Sequence, residues 1–520
     1  MTRHFDVVVL GRSLGSLSAA ALLARRDFRV LLLGQGQRPQ AYSFEQRVFC
    51  RRAFSMLFAS SPVFKRLLQE LAQTQRFRQR VRDLDPMFCF LGTGRRVQVP
   101  PDMQLFAREV EREFPEVRQL VEELYSSFAS VNAAADAVFE RDAAWPPGTF
   151  WERFETNRLA AALPLTSKVQ SRDLLGRFPP GHPFSKLVGL PAVAACDLAV
   201  SYEELPPFAL ARLHGSWTRG VQELPGGEEE LVRFLVDRIK AHGGECWLEA
   251  RAREVVVRRG RAVGVRLDGD EEPTGAGAIV CDLPGEGLAE LAGGAGITKD
   301  AQKSWPRVAA RVGRFVVSVV VKEKLLPEPL GHHAFLLPDS STAGSQRRPP
   351  VQLQVFDAKM LLPAAGVEGE KLLVAEMLLP RSGPLTVLEA REAVLDTLRE
   401  HFPFLNEHLV MVDSPHDGLP LYLYEGGRKR EMDRVHVRGS SPEAEAMQWQ
   451  WAVEPSGYLG LGGEPVRGPI PGTYLVGTTV LPGLGQEGQL LAAQSAVRII
   501  THKDRARQKL RRQMWTKVET

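Results

Sequence analysis

The first 34 residues constrain this chain more than any later stretch. Val7-Val8-Val9-Leu10 follows Asp6 as an unbroken, β-branched apolar run, the pattern of a strand buried on both faces. Gly11-Arg12-Ser13-Leu14-Gly15-Ser16 then turns the chain, and Leu17 to Arg26 reads as an alanine- and leucine-rich helix. Arg29-Val30-Leu31-Leu32-Leu33 is a second strand, ending at Gly34. A buried strand, a glycine turn, a helix and another buried strand form a parallel βαβ unit, and one with this turn opens a dinucleotide-binding fold.

Similar material returns twice. Glu228 to His242 is an amphipathic helix closed by Gly243-Gly244. Strands are expected at Cys246 to Leu248, Ala252 to Arg258, Arg261 to Leu267 and Ala278 to Cys281. Gly472 to Gly477 is the last strand, followed by a glycine-rich turn and a helix from Gln489 to Thr501. The stretches between hold helices such as Gln104 to Phe114 and Leu388 to His401, and a strand at Phe315 to Val321. The reading is an α/β chain with a Rossmann-like domain assembled from three segments, 1–60, 221–299 and 461–501. An interleaved α+β substrate domain takes 61–220 and 300–460, and a basic tail takes 502–520. Asp339 to Pro350 and Val412 to Pro420, rich in Pro and Ser, are expected as surface loops.

In this order, the opening βαβ, Leu224-Pro225-Gly226-Gly227 before a helix, the Gly260 to Val265 hairpin with Ile279-Val280-Cys281-Asp282, and Gly472 to Gly488 resemble the phytoene desaturase-like branch of the FAD-dependent amine oxidase superfamily. The Glu389 to Phe404 helix also matches. The resemblance implies FAD and redox chemistry, desaturase- or dehydrogenase-like, on a long apolar polyene or lipid. Hydride would pass between substrate carbon and flavin. The implied cofactor-lining positions are Gly11, Ser13, Leu14, Gly15, Gly34, Ala252, Gly477, Thr478, Gly485 and Gly488. Ala252, where the family tends to have Val, would meet adenine mainly through its backbone. No catalytic acid or base and no metal ligand is implied.

Several of these positions depart from the pattern. Ser13 and Ser16 stand where the motif has its second and third glycines, which admit the pyrophosphate and the close helix. Gly34 stands where the family has the ribose-binding acid, and the Gly-Gly pair and Arg that follow are not recognisable in Gln35 to Gln40. Gly477-Thr478 replaces a Gly-Asp. Two readings are therefore open: a flavoenzyme with weakened FAD motifs, or a non-catalytic member of the fold that has lost FAD and binds a lipid or protein partner. The Rab GDP-dissociation inhibitors are the family precedent for the second.

Composition narrows the setting. With 44% hydrophobic and 25% charged residues the chain is globular, neither disordered nor collagen-like. Five scattered cysteines in no Cys-x-x-Cys spacing argue against disulfides and zinc and favour a cytoplasmic setting. The formal charge of +4 is local. Arg47 to Arg82 holds nine basic residues and one acid, and His502 to Thr520 carries +5, so that the chain without that tail carries −1. Solvated charge is the plain reading. An anionic membrane surface is the sharper one, supported by Leu510, Met514 and Trp515 at i, i+4 and i+5 beside arginines. Nothing resembles a nucleic-acid module. His332-His333 reads as an ordinary loop pair, Asp197 as a buried acid or helix end, and Trp449 and Trp451 as one face of a strand lining either a substrate tunnel or the core.

Overall fold

The computed structural model describes residues 3–518 apart from 93, 165–170, 328–329, 340–347, 362–365 and 427. Strand β1 (His4–Leu10), helix α1 (Leu14–Arg25) and strand β2 (Val30–Leu33) form the expected βαβ. Val7 to Leu10 and Leu31 to Leu33 are completely buried, each such side chain contributing about 1.5–3 kcal/mol relative to exposure. Helix α1 starts at Ser13, whose extended backbone and hydroxyl cap it by accepting from the Ser16 amide.

β1 lies at the centre of a seven-stranded sheet. Its neighbours are β2 and Thr274–Cys281, both parallel to it. Glu245–Trp247 adds to the outer edge of β2, and Thr473–Leu475 pairs in parallel with Thr274–Cys281. Ala252–Arg258 and Arg261–Leu267 continue the sheet as an antiparallel hairpin. Its strands come from three separated parts of the chain, and the final helix, Gly485–Val518, runs well past the expected Thr501. Register aligns the carboxyl ends: Leu10 is opposite Leu33 and Cys281, Leu33 opposite Trp247, and Cys281 opposite Leu475. The residues that follow, Gly11, Gly34, Leu248, Asp282 and Val476, therefore leave the sheet along one crevice, where such folds place their ligands.

The second domain is a ten-stranded sheet threaded on Arg307–Lys322, more than twice the length expected from Phe315 to Val321. Phe315, Val317, Val319 and Val321 face the helix Val387–His401, while Val316 and Val320 meet the hairpin Ala41–Phe44/Arg47–Cys50 on the other face. That hairpin, drawn within 1–60, thus packs on the second sheet. A layer of helices between residues 103 and 218 joins the first sheet's core.

The two expected loops fare differently. Residues 340–347 of the first loop lie outside the described residues. The second is not on the surface: Leu409–Asp413 is a strand, and Asp413, Ser414, His416 and Asp417 are buried. Their polarity suggested a loop, but it is spent on buried arginines. Arg391 holds Asp417 through two bonds of 2.7 Å, and Arg434 and the Tyr42 hydroxyl hold Asp413.

Candidate functional site at the junction of the two sheets

The turn between β1 and α1 is where a dinucleotide's pyrophosphate would meet free amides. Here internal groups take them. Asp282, one residue past the parallel strand beside β1, lays its carboxyl over Gly11, whose φ of +100° and missing side chain make the room. Its Oδ2 accepts from the Ser13 amide at 3.0 Å and from Gln37 Nε2 at 3.4 Å. Gln37 Oε1 accepts from the Arg12 amide at 3.0 Å. Burial raises the Asp282 pKa, and the bonds from Ser13 and Gln37 oppose the rise.

The adenosine end is closed in the same manner. Gly34 sits against the Leu248 backbone so tightly that a Cβ would overlap the Leu248 carbonyl oxygen, so the family's acid has no space here. Gln35, held at φ +56°, donates from Nε2 to the Ala252 carbonyl at 2.9 Å. Its Oε1 accepts from the Ala252 amide at 3.1 Å. One side-chain amide thus satisfies both backbone groups through which adenine would be held. The left-handed backbone at Gln35 costs on the order of 1 kcal/mol, which this pairing offsets. Gln40 closes the segment, its amide donating to Glu229, which also pairs with Arg12.

The remaining expected positions are built into packing. Gly15 lies against the Val476 carbonyl, Gly477 against Asp282, Gly485 against Ala195 and Gly488 against Leu481, all by close backbone approach. The Thr478 hydroxyl accepts from Trp451 Nε1 at 3.0 Å. Sequence reasoning missed Asp282, Gln35 and Gln37. The available signal was an acid directly after the strand Thr274–Cys281, at the carboxyl edge where the ligand belongs.

A cavity of about 790 Å³ stays open next to this turn, between the two sheets. It takes in Ser13, Leu14, Asp282 and Thr478, whereas Gly34 and Ala252 are outside its lining. The residues present therefore do not fit the adenosine diphosphate half of FAD, although space persists at the other half. The lining is charged, unlike the dry apolar pocket expected from the resemblance: five arginines and six acids face it. Arg314 holds Glu376 at 2.8 Å and lies 3.8 Å from Asp197; Arg52 pairs with Glu228 and donates to Gln448. Burial lowers Arg52 to about 10, with Glu376 pulling it back up. Trp449 and Trp217 also line this space.

Asp197 follows the helix Pro183–Ala195, as a helix-end acid, and also faces the cavity. Burial pushes its pKa up to about 6, against the pull of Arg314 and Arg52. The folded chain then keeps a proton that the unfolded chain has released. The corresponding stability is present below the ordinary value of 3.8 and is lost as pH rises through 6. Asp197→Asn is expected to remove a decline of up to about 3 kcal/mol across this window, read from urea melts in a pH series. A decline identical to that of the parent would show that Asp197 is already ionised.

Other singled-out residues resolve plainly. The expected loop pair is only half a loop: His333 is a buried residue of the strand His333–Leu336 near Ser55, and His332, just before it, pairs with Glu223 at 3.4 Å. Among the described residues no cluster of His, Cys, Asp and Glu could hold a metal, and no helix is long and apolar enough to cross a membrane. All five cysteines are free. Much of the Arg47 to Arg82 charge is used internally, Arg47 on Glu370, Arg51 on Glu445 and Arg52 on Glu228.

No family model matches the chain, and neither does any curated protein. Solved structures do. An oxidoreductase from Methanosarcina mazei superposes with a TM-score of 0.60 at 16% identity, over 95% of this chain and 99% of its own. A double variant of putrescine oxidase gives 0.56 at 12%, over 96% and 100%. Cyclohexylamine oxidase from Brevibacterium oxydans gives 0.53 at 15%, over 96% and 99%. Over nearly its whole length, the chain therefore shares the α/β fold of these oxidases.

Proposed function

We propose that this chain is a non-catalytic member of the fold, which has given up FAD and uses the cavity between its two sheets to bind a polar, charged small ligand. The Asp282 carboxylate on the Ser13 amide carries the reading. An anion already occupies the positive end of α1, and a pyrophosphate there would meet a like charge as well as a lost donor. Gln35 on the backbone of Ala252 supports it from the adenine side. A polyene would have to displace water from paired arginines and acids without replacing their hydrogen bonds, which disfavours an apolar substrate.

The test is direct. The purified protein is expected to be colourless, and titration with FAD should give no saturable quenching of flavin fluorescence up to about 1 mM, the range of negligible affinity. Yellow protein that keeps stoichiometric flavin through gel filtration would overturn the reading and restore the flavoenzyme.

A further inference from the structure

We infer that the outer face of the helix Phe150–Ala160, together with the basic segment beginning at His502, docks on an anionic lipid surface. Phe150 and Trp151 are 76% exposed and Phe154 63%, an aromatic cluster that no part of the described chain covers. Their spacing, i, i+1 and i+4, places them on one side of the helix. Arg153 and Arg158 are exposed among them. Phe and Trp interleaved with arginine is the composition of an interfacial helix, with rings entering the headgroup region and guanidinium groups meeting phosphate.

The rest of this helix is arranged to present that face. Its two acids are both paired: Glu152 takes both Arg467 nitrogens at 2.6 and 2.7 Å, and the more exposed Glu155 takes Arg498 at 3.0 Å. Each acid of the helix thus has a cationic partner. The same contacts lead to the tail. Arg467 pairs through its backbone with Tyr474, whose hydroxyl accepts from Lys503 at 2.8 Å. Arg498 and Lys503 both belong to the helix Gly485–Val518, which carries seven basic residues and one acid from position 502 onward. The aromatic helix and the base of the cationic helix are thus joined by two ion pairs, a backbone bridge and a hydrogen bond. Charge complementarity selects a lipid surface with anionic headgroups, independently of what fills the cavity.

Co-sedimentation of the full chain with phosphatidylcholine vesicles, with and without phosphatidylserine, tests this. Binding is expected only where phosphatidylserine is present. Phe150→Ala/Trp151→Ala/Phe154→Ala should weaken it at least about tenfold, as should glutamine at Arg505, Arg507, Lys509, Arg511 and Arg512 together. The side chains of the aromatic set are exposed, so thermal melting should not change. Quenching of tryptophan fluorescence by brominated lipid should fall in Trp151→Phe. No binding to phosphatidylserine vesicles at low salt would overturn the proposal, and so would full retention by the aromatic triple variant. A concentration-dependent dimer abolished by that triple variant would also overturn it, identifying the face as a subunit contact.

Discussion

Asp282→Ser is expected to convert a chain that ignores inorganic pyrophosphate into one that binds it. In the parent, the carboxylate accepts from the Ser13 amide at 3.0 Å, at the point where the amide dipoles of α1 converge. Two unit charges about 4 Å apart repel by about 4 kcal/mol at an effective dielectric near 20, and less where water enters. Relief of even half of that corresponds to a gain of about thirtyfold, measurable by calorimetry. Serine keeps a short acceptor for the Ser13 amide, so the fold should survive with a loss of about 1 kcal/mol or less. FAD itself should gain little from the single change, because Gly34 still abuts Leu248 and Gln35 still caps Ala252. Equal and undetectable pyrophosphate binding in parent and variant would mean that the carboxylate is not what keeps anions out.

Arg212→Met should be the most destabilising of the changes considered, at about 3–5 kcal/mol. Arg212 is almost wholly buried in the helix Pro207–Thr218 and reaches Glu487 through bonds of 2.7 and 2.6 Å. Glu487 belongs to the turn that opens the last helix, so this pair fastens the final chain segment to the helical layer. Burial by itself would raise the Glu487 pKa, but Arg212 outweighs it and the net shift is downward. Without the arginine, the carboxylate keeps the Ser61 hydroxyl, and burial then dominates. The variant's stability should therefore rise on acidification through the carboxylate range, opposite to the parent. Arg212→Met/Glu487→Gln removes the buried charge and should recover more than half of the loss in urea melts. If the double variant is no better than the single one, the cost lies in the lost pairing with Asp136 and packing against Phe139 rather than in a stranded Glu487 charge.

The sheet was legible because its signals are local. Four consecutive apolar residues, a glycine and an alanine-rich helix define β1 and α1 from within the first segment alone. Glycines in the closing turn were equally visible, though they serve close backbone packing. What closes the site was not legible, because it depends on register. Asp282 lies 269 residues from Ser13 and meets it only because the strand before it ends level with β1. Gln35 reads as an ordinary polar residue after a strand, and only a left-handed backbone turns its amide onto Ala252. The stretch from Val412 to Pro420 misled for a related reason. Asp, Ser, His and Pro look like solvent-facing turn residues until Arg391 and Arg434 arrive from elsewhere to pair with them.

The threading of the first sheet also has a consequence for how the chain is made. β1 is made well before its partners: its neighbour Thr274–Cys281 follows some 270 residues later, and Thr473–Leu475 later still. At about 5–20 residues per second, the apolar edge of the first βαβ unit stays without its partner strands for roughly fifteen seconds to a minute. The helices between residues 103 and 218 emerge within that interval, whereas most of the second sheet, from Arg307–Lys322 to Gln448–Glu454, is made after Thr274–Cys281 and before Thr473–Leu475, so it forms while the first sheet still lacks that last strand. Until Thr274–Cys281 has been made, β1 keeps an open, unpaired edge, the kind of surface on which chains aggregate.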